Sequence, residues 1–293
     1  MKNFIFDRYG YYVENGEVFS YQGFKFALEI NNYSPIESED MNNYIIQLSN
    51  NLFNKKAYIV PSREDKLLTL SEYGNVSLVA VEDFKVTIND IILFHQQNFS
   101  SNKKIKASVI KERWVSKLDL IENKIVPSIK IEDHYYQLLV ICVTHSIGLA
   151  INAIQYLQDA IIDFDDEING VTLVHKRATL NSYDLLNPFN LIIDSPVRDF
   201  AELYKNEEIS LEELISILTR YQFNSKDVTL LLARILYPTK FFDLLEKHYQ
   251  KRDDITPDLN EYYENITSYI DKIKKIHSYL VNNYGIRKIN WLE

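Results

Sequence analysis

Ionisable and amide side chains crowd into one stretch of the chain, residues 171–200, VTLVHKRATLNSYDLLNPFNLIIDSPVRDF. It holds His175, Lys176, Arg177, Asp184, Asn187, Asn190, Asp194, Arg198 and Asp199, with the apolar runs VTLV and FNLII on either side of the loop. Groups of these types can transfer protons, bind divalent cations through carboxylates, or hold an irregular loop by hydrogen bonds. If the chain does chemistry, this stretch is where it belongs.

Other candidates are weaker. The histidines at 95, 134, 145, 175, 248 and 277 show no HExxH or His/Cys ligand spacing, which argues against a zinc site. Cys142 lies among aliphatic residues in LLVICVTHS and reads as a small buried hydrophobe. Ser146 sits in HSIGLA rather than in a GxSxG elbow. The acidic run DFDDE at 163–167 reads as a solvated loop, with metal ligation as the competing reading. Neither GxGxxG nor GxxxxGKS occurs, and Lys25 is the only candidate for a lysine on nucleotide phosphates. Its strand context, between Phe24 and Phe26, makes it first of all an outward-facing residue.

The elements around this stretch follow from periodicity. Apolar runs FIFDRYGYYV and EVFSYQGFKFALEI flank Asn15-Gly16, a hairpin signal, and strand-like AYIVPS is followed by KLLTLSEY and VSLVAVED around Gly74-Asn75. Between them Met41, Tyr44, Ile45, Leu48 and Leu52 recur on one helical face. Five strands and one helix therefore make a small lobe over residues 1–86. From Thr87 the period becomes helical, with a long segment from Glu132 to about Ile162 and a helix opened by Ser210 and Glu213. A helical lobe over 87–293 is interrupted by the loop at about 171–200, where Asn169-Gly170 marks a turn.

Composition bounds the rest. The 293 residues are 46% hydrophobic, enough for one large domain or two unequal lobes. A net charge of −9 disfavours nucleic-acid binding, and the basic segment from Lys103 to Lys117 reads as an amphipathic helix with a solvated cationic face. The start MKNFIFDRYGYY lacks the pattern of a signal peptide, and no run of about 18 uncharged apolar residues is read in the chain, so cytoplasmic synthesis without a membrane span is expected.

Three tracts, GLAINAIQYLQD at 148–159, TLVHKR at 172–177 and IIDSPVRDFAEL at 192–203, resemble the spore-coat-associated kinase-like proteins of the YutH type, in the wider CotS group. LLLARILYPTKFFDLLEKHY at 230–249 and the ending GIRKINWLE extend the likeness, so it covers roughly residues 90–293. The resemblance implies an α+β, protein-kinase-like bilobal fold of the aminoglycoside phosphotransferase kind. Its small N-terminal lobe is an antiparallel sheet and its large C-terminal lobe is mainly helical.

On this resemblance, the loop that begins His-Gly-Asp in active relatives corresponds to His175-Lys176-Arg177. A permanently protonated guanidinium then stands at the catalytic carboxylate's position, where it cannot act as a base and repels Mg²⁺. The metal-binding Asp is expected in LLNPFNLII, which offers only the amides of Asn187 and Asn190. Asp184 is the remaining acidic candidate, a metal ligand only if the protein is active. Asp199 matches the Asp that opens the next helix and hydrogen-bonds the catalytic-loop backbone, and Asp194 and Arg198 are expected in the same structural network.

The implied function is that of a pseudokinase at the spore coat of an endospore-forming bacterium, binding other coat proteins or a ligand without ATP or Mg²⁺. The alternative is a divergent ATP- and Mg²⁺-dependent small-molecule phosphotransferase.

Overall fold

A computed structural model describes residues 2–13, 18–72, 74–97, 104–130, 132, 134–168, 170–251 and 254–293. The chain divides into two compact units, residues 1–101 with 172–199, and residues 102–171 with 200–293. The change of period near residue 87 marks where strands give way to helices. The grouping of contacts follows a different logic: it keeps the next helix with the sheet and brings the 172–199 segment to it.

The first unit opens with α1 (Lys2–Tyr9), so residues 4–9 of the run FIFDRYGYYV are helical where sequence suggested a strand. The hairpin β1 (Val18–Tyr21) and β2 (Phe24–Ile30) turns at Gln22-Gly23, with φ of +48° and +80°. Positive φ at both central residues is what a two-residue hairpin turn requires, and glycine supplies the second at no steric cost. The expected Asn15-Gly16 turn lies outside the described residues. After α2 (Pro35–Phe53) come β3 (Ala57–Val60), β4 (Thr69–Ser71) and β5 (Gly74–Glu82), then α3 (Ile88–His95).

All five strands form one antiparallel sheet in the order β1-β2-β5-β3, with β4 also on β5. Ser71 pairs with Gly74, so Gly74 and Asn75 already belong to β5 and the turn falls earlier than their composition suggests. β5 is central and buried on both faces, which explains its unbroken apolar run: Val76, Leu78, Val79, Ala80 and Val81 are wholly inaccessible. Phe26, Leu28, Val60, Val76, Leu78 and Ala80 build one core with Tyr9 of α1. A reciprocal cap between Ser34 and Glu37 starts α2, whose Asn42 accepts a hydrogen bond from the Ile59 amide of β3 at 2.7 Å.

The second unit contains β6 (Ile105–Lys106), α4 (Ala107–Leu120), α5 (Tyr136–Phe164) and β7 (Glu167–Ile168). Contrary to the expectation of no such segment, the 29-residue α5 is long and apolar enough to cross a membrane; its Leu139, Cys142, Val143, Leu149, Ala153 and Leu157 lie buried. The first unit resumes with β8 (Thr172–His175), α6 (Ser182–Leu186) and β9 (Leu191–Asp194). The helices α7 (Val197–Lys205), α8 (Leu211–Tyr221), α9 (Ser225–Leu236), α10 (Thr239–Lys251) and α11 (Thr256–Tyr284) complete the chain. In the second unit α5 packs on α4, α9 and α11. The Ser210–Glu213 pair forms the reciprocal cap of α8.

Candidate functional site

β8 and β9 form an antiparallel ribbon, pairing Thr172 with Asp194 and His175 with Leu191. The loop between them leaves β8 at His175, and its first residues are held by the start of α7. The Asp199 carboxylate takes the His175 amide on Oδ1 at 2.9 Å and the His175 ring on Oδ2, through Nδ1, at 2.6 Å. His95 of α3 reaches the same Oδ2 through Nε2 at 2.9 Å. The Leu185 carbonyl lies 3.1 Å from His175 Nε2. Both ring nitrogens of His175 thus face acceptors, an arrangement that favours the doubly protonated ring.

Burial alone would drive the His175 pKa down, but the Asp199 carboxylate overturns this and holds it above the ordinary 6.5. Burial would likewise raise Asp199; His175 and His95 hold it well below the ordinary 3.8 instead. The side chains of His95, His175 and Asp199 are 1%, 1% and 0% exposed, so this ion pair is internal.

Ligand atoms of these three residues lie within 4.8 Å of one another, the usual starting point for a metal site. The spacing argues for protons instead. Two ligands on a tetrahedral zinc are about 3.3 Å apart, given Zn–N bonds of about 2.0–2.1 Å. The 2.6 Å between Nδ1 of His175 and Oδ2 of Asp199 is a charge-assisted hydrogen bond.

Arg177 projects from the next turn. Its amide donates to Asn190 Oδ1 at 3.0 Å, and its Nη1 to the Lys176 carbonyl at 3.0 Å. Arg198 on α7 donates through Nε to the His175 carbonyl at 2.9 Å, through Nη2 to the Lys176 carbonyl at 3.2 Å, and through Nη1 to Asp194 Oδ2 at 3.2 Å. Asp194 Oδ1 takes the Ser195 amide at 2.8 Å. Asp194, Arg198, Asp199 and His175 are therefore one connected polar network.

The other acidic candidate is turned to local work. Asp184 is in the first turn of α6, and its Oδ2 accepts from Thr179 Oγ1 at 2.5 Å and from Asn181 Nδ2 at 2.6 Å. Asn187 donates its amide to Glu29 Oε1 at 2.7 Å and accepts the Phe189 amide at 3.0 Å. Tyr183 donates its hydroxyl to the same Glu29 oxygen at 2.7 Å. Burial beside Glu29 drives the Tyr183 hydroxyl far above its usual pKa, keeping it a donor. Ser182 bonds Asp83, and Tyr33 packs on Phe189 with ring centroids 5.4 Å apart.

Lys25, on β2, pairs with Asp83 at 2.9 Å, both side chains being substantially exposed. The residues present suit Mg²⁺ poorly. Asp194 faces a guanidinium, both ends of the Asn187 amide are bonded, and Asp184 holds two protein donors on one oxygen.

Two residues that hold this loop were missed by sequence reasoning, His95 and Glu29. Each lies far from its partners along the chain, 104 residues from Asp199 and 158 from Asn187, and neither carries a local motif. Asn190 also does more than offer an amide. It donates to the carbonyls of Arg177 and Asp184, each at 2.8 Å, and so closes the loop on itself.

Residues outside the loop resolve simply. In the 163–167 run, Asp163 meets Arg287, Asp165 meets Lys226, Asp166 caps Ser108 and Glu167 meets Lys104. Burial pushes the Cys142 thiol up to about 11, and Ser146 donates to the Cys142 carbonyl at 2.8 Å. The histidines at 134, 145 and 248 bond Thr256, Tyr262 and Tyr135, and His277 accepts the Ile289 amide.

A family model described as "Spore coat putative kinase YutH" matches residues 2–282. The fold is similar to that of an aminoglycoside phosphotransferase from Alicyclobacillus acidocaldarius, with a TM-score of 0.57, 12% identity, and coverage of 93% of this chain and 92% of that one. An AMP-bound spectinomycin phosphotransferase aligns with a TM-score of 0.49 and 10% identity, over 90% of this chain and 93% of the other. No curated protein matches the sequence. The fold is thus kinase-like, with an antiparallel sheet in the N-terminal region and a mainly helical remainder.

Proposed function

The chain belongs to the YutH family of spore-coat kinase-like proteins, and we propose that it is a pseudokinase that works by binding rather than by phosphoryl transfer. One observation carries this reading. The loop that would have to present a base and a metal ligand to a nucleotide is instead latched to the sheet by its own side chains. Glu29 of β2 receives both Tyr183 and Asn187, while Asp83, just past β5, receives Ser182 and Lys25. The candidate phosphate lysine and the loop are thus tied to one another through protein groups.

Arg177 strengthens the reading. Phosphoryl transfer in kinase-like proteins depends on a carboxylate that orients the acceptor hydroxyl and on acidic metal ligands. A guanidinium offers donors only and stays charged at any physiological pH. The loop retains its brace, Asp199 on the His175 amide, without the groups the brace would position for chemistry.

The biological setting comes from the family. Synthesis in the cytoplasm of a sporulating cell and recruitment to the coat by other coat proteins are the expected course. Co-fractionation with extracted coat material, and its loss when the protein is made without sporulation, would check this.

Thermal unfolding with and without ATP and Mg²⁺ tests the biochemical reading, since a ligand that binds only the folded state must raise its melting temperature. No rise at millimolar nucleotide, and no Mg²⁺-dependent ATP turnover, are expected. Turnover abolished by Asp184→Ala would overturn the proposal in favour of a divergent phosphotransferase.

A further inference from the structure

We propose that the exposed face of α5 is where two copies of this chain pair, helix against helix and antiparallel, with Ile151 of each copy seated over Gly148 of the other. The proposal concerns the second unit and does not depend on the reading of the loop. From Tyr136 to Gln158 the helix carries no Asp, Glu, Lys or Arg. One side of it packs on α4, α9 and α11. On the other side Ile141, Gly148, Gln155 and Ile162 recur every seven residues, with Thr144 and Ile151 between them. Alternate steps of three and four residues make the seam of a two-helix coiled coil. Ile141 and Ile151 are each 47% exposed, Ile162 is 68% exposed, and Thr144 and Gln155 are exposed as well. A helix face that only met water would carry charges here.

The shape of the seam selects a second copy as its occupant. Gly148 leaves a notch, since a Cβ placed on it would have no neighbour within 4 Å. Ile151, one turn further on, is a knob. A two-fold axis crossing the helix between them sets each knob over the other copy's notch, the self-complementarity that an isologous contact requires. The same axis brings Thr144 against Gln155 of the other copy, a hydroxyl facing an amide. Parallel pairing would oppose Ile151 to Ile151, leave both notches empty, and bring the Asp159 and Asp163 carboxylates of the two copies together. Antiparallel pairing also sets the two helix dipoles in opposition, which is the favourable sense.

The face is large enough for a stable pair. At about 1.5 Å per residue, the seam from Gln137 to Ile162 runs about 38 Å. A strip of that length and about 10 Å wide buries on the order of 1,200 Å² over two copies, above the roughly 1,000 Å² that a specific interface needs. A lipid surface fits less well. Thr144 and Gln155 lie in the middle of the face, α5 has no Lys or Arg to hold phospholipid headgroups, and the chain as a whole carries a net charge of −9.

Sedimentation equilibrium of the full chain, from low to high micromolar concentration, tests this, and a monomer–dimer equilibrium is expected. Gly148→Leu fills open space in the single copy, so the melting temperature of dilute protein should not fall, while the dimer should weaken about tenfold or more. Exchanging knob and notch, Gly148→Ile with Ile151→Gly, should restore association relative to Gly148→Ile alone. Cysteines read the register, since the native Cys142 is buried. Thr144→Cys together with Gln155→Cys should yield a disulfide-linked dimer, whereas Thr144→Cys alone should not, its two copies lying about 16 Å apart along the antiparallel pair. A chain that stays monomeric at every concentration, a dimer indifferent to Gly148→Leu, or a cross-link through Thr144→Cys alone overturns the proposal. So does flotation of a monomer with phosphatidylcholine vesicles, which would assign the face to lipid.

Discussion

Among the described residues, the 163–167 run and the His95–His175–Asp199 group both have side chains of the types that make metal or acid–base sites, and they differ in burial. The 163–167 turn presents four carboxylates at the surface, each met by a cation or a helix start. The His95–His175–Asp199 knot presents one carboxylate and two imidazoles in the buried interior. At the surface, solvent screens each pair and any single partner can be lost with little consequence. Inside, no group can lose its partner without leaving an uncompensated charge or an orphaned donor. Burial, rather than residue type, determines which cluster holds the loop.

The sharpest way to break this contrast is Asp199→Ala. Removing the shared acceptor should destabilise the protein by about 3–5 kcal/mol in denaturant unfolding. Asp199→Asn, which keeps an acceptor, should recover part of that. A loss below about 1 kcal/mol would mean that the knot is no more than a surface pair.

Next in size is Glu29→Ala, which strips the acceptor from both Tyr183 and Asn187. A loss of about 1–3 kcal/mol is expected, with Glu29→Gln restoring most of it. An unchanged midpoint in Glu29→Ala would show that the latch between loop and sheet carries no weight.

Acidity sharpens the contrast from another side. His175 has a folded pKa above 6.5, so its contribution is fully present below 6.5 and disappears as pH rises through that higher folded value. Asp199 is depressed, so its contribution is present above 3.8 and disappears as pH falls through its lower folded value. Stability from the pair should therefore be greatest between these two ordinary values and decline on both sides, by at most about 1.4 kcal/mol per pH unit for each proton. In Asp199→Asn both declines should shrink, and a wild-type profile indistinguishable from this variant's would refute the linkage.

The smallest effect is expected from Lys104→Ala or Arg287→Ala, which remove exposed partners of the surface turn. Their melting temperatures should stay within scatter of the wild type, and what difference there is should vanish in high salt. A drop as large as that of Glu29→Ala would erase the distinction between the two clusters.

Much of the fold was legible because its signals are local. The caps of α2 and α8 each lie within four residues, Ser34 with Glu37 and Ser210 with Glu213. The strand runs of β2, β3 and β5 stand where their apolar patterns place them. Errors arose where two local signals compete. FIFDRYGYYV has strand-like residues, yet Ile5 and Tyr9, four apart, turn to the core from the helix α1. EVFSYQGFKFALEI reads as one run, yet Gln22-Gly23 turns it into the hairpin β1–β2.

The site was legible in part for the same reason. The triplet 175–177 and the tract 192–203 mark the loop, and Arg177 stands out by its chemistry alone. Nothing near Glu29 in the chain announces that it will receive Asn187, and His95 has no motif pointing to Asp199.

By itself, then, the sequence determined most of the elements and their order, the crowding of ionisable and amide side chains at 171–200 and the arginine at 177, because these depend on residue type and short-range spacing. Only the tertiary structure decided that His95 joins His175 on Asp199 and that Glu29 latches the loop to the sheet. Those outcomes depend on which groups are brought together out of water, and pairings across 100 residues or more leave no trace in local pattern.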